Sequence, residues 1–253
     1  MSGIQIDGRW FCSQECVERM ARQLLAGARP LRLGVPAVAP PRLGVLLLHE
    51  RAITAGQLTR AIASQPGTGL RLGAQLCADG ACDEVTVLRA LAAQAGARFV
   101  ASIAPSAVAD APGGLPREAV RALGVVPFTL PEVTGRIRVA CAAPIPRAAL
   151  AALRRLTGWT LAVYLVSDTT FAALRDAYGS ATDRPPRVEL VRTSTVADAA
   201  TRIAAAAAGS RRMTMADAHW APYTWVRVTA EGIVRDVLLE NAEESCQAAS
   251  TLH

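Results

Sequence analysis

Lysine is absent from this chain, and all 27 of its basic side chains are arginine. A Walker A loop needs a lysine to reach the β- and γ-phosphates of a nucleotide, so an ordinary P-loop hydrolase is excluded. Uninterrupted apolar runs are missing too. None reaches the roughly 18 to 20 residues that cross a bilayer without an Arg or Pro breaking it. The first residues also lack the charged-then-apolar order of a signal peptide. A cytoplasmic protein with no direct membrane insertion is therefore expected. The cysteines (Cys12, Cys16, Cys77, Cys82, Cys141 and Cys246) are too few and too dispersed to staple a chain of this length, so free thiols are expected.

What is present is a large apolar fraction, 51% of 253 residues, enough to bury a sizeable core in two or three small domains. The net charge of +6 is spread along the chain rather than gathered in a stripe, and nucleic acid is not an expected partner.

The most informative pattern is a block of 24 residues that occurs twice at an offset of 29. It runs from Arg42 to Gln65 and again from Arg71 to Gln94. The copies share the opening Arg-Leu-Gly, the closing Gln, and Leu47/Leu76, Ala52/Ala81, Arg60/Arg89, Ala61/Ala90 and Ala63/Ala92, which makes nine identities. One structural unit is used twice. Apolar residues recurring at three and four predict a short helix, a turn and a longer helix in each copy. Thr54 with Gln57 forms a capping box for the longer helix of the first copy, and Asp83 caps its counterpart. Pro66 to Leu70 between the copies reads as a turn.

Around the repeats the chain divides into an N-terminal segment (1–26) with a candidate hairpin and a helix to Leu25, and a Pro/Gly-rich linker (27–41). The repeats occupy 42–98. An α+β segment (99–179) follows, with helices at Pro116 to Leu123, at Arg147 to Leu156 and after Ser167 or Asp168. Its strands are at Val125 to Leu130, Arg136 to Ala142 and Thr160 to Val166. After a second linker, residues 187–253 read as a βαββ unit: Val188 to Val191, an Ala-rich helix Val196 to Ala208, Tyr223 to Thr229 and Ile233 to Leu239. Its open strand edges need partners. The fold class expected is α+β, a tandem helical hairpin followed by a small sheet domain and this C-terminal unit.

Arginine suits a ligand that combines guanine and phosphate, because the flat guanidinium forks onto O6 and N7, stacks on a base or pairs with a phosphate oxygen. Arg42 and Arg71 supply one such group per copy. Gly44 and Gly73, two residues later, allow backbone N–H groups to approach a phosphate at a helix start. Leu58, Ile62, Val87 and Leu91 share helix faces able to sandwich a base or ribose, and Gln65 and Gln94 end those faces. Two related halves suit a symmetric dinucleotide.

The duplicated Arg-Leu-Gly…Gln block resembles the N-terminal domain of type II secretion and type IV pilus assembly ATPases, in particular the MshEN-type cyclic di-GMP-binding domain. Gly135 to Pro144, Leu156 to Gly158 and Tyr178-Gly179 are similar to the remainder of that region, so the resemblance covers residues 42 to 179. It implies that cyclic di-GMP is held by Arg42, Leu43, Gly44, Leu58, Ile62 and Gln65 of one copy and Arg71, Leu72, Gly73, Val87, Leu91 and Gln94 of the other. Arg51 stands where the family pattern has Gly, which Gly80 keeps, and Ile62 and Val87 replace its Leu. A positive φ at Arg51 costs about 1 kcal/mol. With no lysine for a phosphate loop, the motor of those ATPases is not expected here. The resemblance thus implies a non-catalytic adaptor of a secretion or pilus system, with the machinery proteins as partners. The alternative is a ligand-free docking module of the same fold.

Three smaller signals carry less. Trp10 to Cys16 resembles half of a small zinc knuckle, but zinc takes four ligands and His49, His219 and His253 are distant, so no metal site is expected. Asp217, His219 and Trp220 come with no nucleophile elbow, and no catalytic residue is assigned. Glu240, Glu243 and Glu244 read as a solvated run.

Overall fold

The structure, a computed structural model, describes residues 3–29, 40–108, 115–128, 136–180 and 188–240. Most of the first linker, the second linker and Cys246, His253, Glu243 and Glu244 lie outside these residues. Strands β1 (Ile4–Ile6) and β2 (Arg9–Phe11) form the expected hairpin about Asp7 and Gly8, both at positive φ. Helix α1 (Gln14–Ala26) follows, its first turn held by the Ser13 hydroxyl, which accepts from the Cys16 amide. The repeat gives α2 (Leu43–His49), α3 (Ala55–Thr68), α4 (Leu72–Ala78) and α5 (Glu84–Ala95). Thr54 and Gln57 make the capping box on α3, and Asp83 accepts from the Thr86 amide at the start of α5. Helix α3 runs three residues past the expected end at Gln65, through Pro66 to Thr68. Pro66 has no N–H to donate to the Ile62 carbonyl, so the helix continues past it without that bond. Gly69, at φ 67°, ends the helix, and its N–H donates to the Gln65 carbonyl.

The α+β segment contributes β3 (Arg98–Phe99), α6 (Arg117–Leu123), β4 (Val126–Pro127), β5 (Arg136–Cys141), α7 (Arg147–Thr157), β6 (Thr160–Leu165) and α8 (Asp168–Ser180). Its sheet has the order β3-β6-β5-β4, with β5 and β6 parallel across the α7 crossover. The Ser167 hydroxyl accepts from the Thr170 amide at the start of α8, as expected.

The C-terminal part comprises β7 (Val188–Thr193), α9 (Val196–Ala207), β8 (Arg212–Trp220), β9 (Tyr223–Ala230) and β10 (Ile233–Glu240). It corrects the sequence reading twice. Strand β8 was not expected, which makes the unit βαβββ. Polar Asp217 and His219 broke its apolar pattern, yet His219 is buried and its Nδ1 shares a hydrogen bond of 2.7 Å with the Thr224 hydroxyl. The N-terminal segment, moreover, is no unit of its own. Strand β1 pairs in parallel with β8, completing a six-stranded sheet of order β2-β1-β8-β9-β10-β7. The open edge of the C-terminal unit is thus closed by the other end of the chain.

Helices α1 and α9 cover one face of this sheet, where Val17, Ala21 and Leu25 meet Ala200, Ile203, Val226 and Val237 in one core. The other face carries Trp220, Trp225 and Leu238, buried with Leu153 and Leu156 of α7. Arg227 pins that junction. Its Nε and Nη2 donate to the buried Asp236 carboxylate at 2.8 and 2.7 Å, and its Nη1 donates to the Leu156 carbonyl at 3.0 Å.

Candidate functional site

Each repeat is two helices that cannot close a core alone, and the structure shows how the copies complete one another. Leu47 and Ala61 of the first copy and Leu76 and Ala90 of the second are fully buried in a single small core. Within it the short helix of each copy lies against the long helix of the other, α2 on α5 and α3 on α4.

The glycines set how close these helices come. A Cβ on Gly44 would lie 2.9 Å from Leu58 Cδ1 and 3.5 Å from Leu72 Cδ2. One on Gly73 would lie 2.6 Å from Val87 Cγ1 and 3.5 Å from Leu43 Cδ2. Each glycine therefore receives the long helix of its own copy and the Arg-Leu-Gly leucine of the other. This exchange follows an approximate twofold relation. Leu43, Gly44, Leu58, Leu72, Gly73 and Val87 are brought together, and absence of a side chain at the glycines has a packing use of its own.

The two glutamines obey the same relation. Gln65 Nε2 donates to the Leu70 carbonyl at 2.9 Å, and Gln94 Nε2 donates to the Pro41 carbonyl at 2.7 Å. Leu70 immediately precedes Arg71, and Pro41 immediately precedes Arg42. The last residue of each copy thus fixes the chain just before the arginine of the other. Arg42 and Arg71 themselves sit at the N-cap positions of α2 and α4 with almost identical backbones, φ −66° and −67°. Both are exposed, and neither uses its side chain as a cap. The two copies therefore carry exposed arginines at equivalent helix starts.

Two predicted residues diverge. Ile62 is 52% exposed, while its counterpart Leu91 packs beside Leu88, Ala92, Cys141 and Leu165, joining the repeat to the four-stranded sheet. The apolar faces of α3 and α5 are therefore not equivalent, because among the described residues α5 packs on the four-stranded sheet and Ile62 of α3 stays exposed.

Arg51 and Gly80 occupy the same turn, at φ 56° and 65°. The turn requires the left-handed region in both copies, and the first adopts it with a side chain in place. Sequence reasoning missed Gln75, which is buried at the position where the first copy has Leu46. Its Oε1 accepts from the Thr68 hydroxyl at 2.6 Å and its Nε2 donates to Asp79 at 2.6 Å. The signal available was a polar residue at an apolar repeat position.

Among the described residues no group of three or more His, Cys, Asp or Glu is placed to hold a metal ion. No helix there is long and apolar enough to cross a membrane. Cys77 and Cys82, in the second copy, are half-buried thiols whose pKa values are raised by burial.

Comparison with known proteins finds a likeness in the segment that follows this frame. Residues 96–185 match the family model of the MshEN domain. A solved structure of MshE with cdg aligns with 55% of this chain and 99% of its own length, at 27% identity and a TM-score of 0.45. Two crystal forms of the N-terminal domain of XpsE align with 57% of this chain each, covering 98% and 97% of their own, at 23% and 22% identity and TM-scores of 0.39 and 0.29. No curated protein matches the chain. Residues 96–185 thus carry the likeness to the MshEN domain, and this segment begins two residues after the second copy ends at Gln94.

Proposed function

We propose that this protein is a non-catalytic receptor for cyclic di-GMP that acts as an adaptor of a type II secretion or type IV pilus system. The observation that carries this reading is the equivalent placement of Arg42 and Arg71, both exposed at the N-cap positions of α2 and α4, in two copies that share one core. A ligand of two identical guanylate halves meets two equivalent arginines, each led by a chain segment held by the other copy's glutamine. Leu43, Leu72, Leu58 and Val87, gathered about Gly44 and Gly73, supply the apolar contacts of the site. The resemblance of the repeat to MshEN-type domains and the MshEN match over residues 96–185 both support the reading.

A consequence for signalling follows from α5. It carries Val87 toward the repeat and Leu88 and Ala92 toward Cys141 and Leu165 of the sheet domain. A ligand bridging the copies acts by preferring one setting of α5 against that sheet.

Calorimetric titration with cyclic di-GMP tests the proposal, with GTP as the control ligand. Saturable binding is expected. Arg42→Ala and Arg71→Ala each remove a charge-assisted hydrogen bond and weaken binding about tenfold or more. Because both side chains are exposed and cap nothing, the far-UV circular dichroism should be unchanged. Absence of binding to the native protein, or binding indifferent to both substitutions, overturns the reading.

One observation favours the alternative, a ligand-free docking module. Gly44, Gly73, Gln65 and Gln94 each have a structural use within the repeat. Under that reading both arginine substitutions leave nucleotide binding absent throughout, while a protein partner is lost when the exposed face of the repeat is altered.

A further inference from the structure

The cysteine pair at the N-terminal hairpin lies apart from the repeat, and its thiols enter no contact described so far. Cys12 follows β2, and Cys16 lies in the first turn of α1, with the helix-capping Ser13 between them. Their sulfurs are 3.1 Å apart, within hydrogen-bonding range of one another. Cys12 is exposed and Cys16 half-exposed, so a small reagent reaches both. The other described thiols differ. Cys141 is buried, which pushes its pKa up to about 12, and Cys77 and Cys82 are raised by burial as well.

We propose that Cys12 and Cys16 form a thiol–disulfide exchange site that closes to an intramolecular disulfide with a low-molecular-weight disulfide such as oxidised glutathione. The local geometry assigns the roles. The Cys16 thiol pKa is lowered first by its hydrogen bond with Cys12, then by Ser13 and the nearby Arg19, whereas that of Cys12 is raised by the same contact. Cys16 is therefore the attacking thiolate. It attacks one sulfur of glutathione disulfide, the S–S bond of the reagent breaks, and one glutathione thiolate leaves and takes up a proton. Cys12 then loses its proton to solvent and attacks the Cys16 sulfur of the mixed disulfide, expelling the second glutathione. The two electrons lost by the cysteine pair reduce one glutathione disulfide to two thiols, so the exchange balances. The short separation makes the second step intramolecular and fast relative to attack by external thiols.

Trypsin isolates the pair cleanly, because Trp10–Arg19 contains both cysteines and Leu72–Arg89 contains Cys77 and Cys82 as an internal control. The reduced full chain would be equilibrated with defined ratios of oxidised to reduced glutathione, alkylated, digested and weighed. The Trp10–Arg19 peptide is expected to appear unalkylated and two hydrogens lighter at ratios that leave Leu72–Arg89 and the Cys141 peptide fully alkylated. Cys12→Ser should trap glutathione on Cys16, and Cys16→Ser should react several-fold more slowly. If Trp10–Arg19 stays doubly alkylated while the control peptide oxidises, no exchange site exists. Equal rates for the two single variants would overturn the assignment of Cys16 as the attacking group.

Discussion

Gly44 and Gly73 hold the same place in two copies of one unit, yet alanine is expected to be tolerated at the first and costly at the second. The difference lies in what the new methyl group meets. At Gly44 the nearest atom is Leu58 Cδ1 at 2.9 Å, the far end of a flexible side chain that can turn aside. At Gly73 it is Val87 Cγ1 at 2.6 Å, one bond from Cβ on a helix that leaves valine a single preferred rotamer. Val87 is buried, so relief requires α4 to move away from α5, disturbing fully buried Leu76 and Ala90. Overpacking of this kind costs about 2 to 3 kcal/mol. Alanine returns about 0.5 to 1 kcal/mol through its better helix propensity. Gly73→Ala should therefore destabilise by about 2 kcal/mol, and Gly44→Ala by less than about 1 kcal/mol. Urea unfolding measures both as shifts in midpoint at unchanged slope. The double variant Gly73→Ala/Val87→Ala removes the clash and should be more stable than the two single costs summed. Equal costs at the two glycines, or strict additivity in the double variant, would refute the packing argument.

Other substitutions probe the same frame and its junction with the C-terminal sheet. Arg51→Gly relieves a left-handed backbone at φ 56° and should stabilise by about 1 kcal/mol, seen as a higher thermal midpoint. Gln94→Ala leaves the Pro41 carbonyl without its donor and should destabilise by about 1 kcal/mol, with faster hydrogen exchange at the start of α2. Burial pushes the Asp236 carboxyl up, while its two hydrogen bonds from Arg227 pull it down. Arg227→Met removes that pull and leaves a buried carboxylate unpaired, at a cost of about 3 to 5 kcal/mol near neutral pH. The folded-state pKa of Asp236 then lies further above its unfolded value, so the variant should be most stable in acid. Its stability should fall as pH rises through the folded pKa, which melts across that range can measure.

Local signals in the sequence were enough for most of the elements. The period of three and four in the repeats, the capping box at Thr54 and Gln57, and the Asp83 cap all act within one or two turns, and they put α2 to α5 where they stand. The same holds for β5, α7, β6 and α9, whose apolar patterns suffice without knowledge of any partner. The duplication itself, with its paired arginines, glycines and glutamines, was complete in the one-dimensional chain. What the sequence did not contain is which surfaces meet. Strand β8 is polar at Asp217 and His219 and became a central strand only because β1, from the far end of the chain, pairs with one edge and β9 with the other. The reach of Gln94 back to Pro41, across 53 residues, has no local signature either. Hydrogen bonds and methyl contacts of this kind depend on how the helices cross, and the crossing is settled by the whole buried core rather than by any segment of it. Tertiary structure alone therefore decided that the two repeats exchange partners and that the two ends of the chain share a sheet.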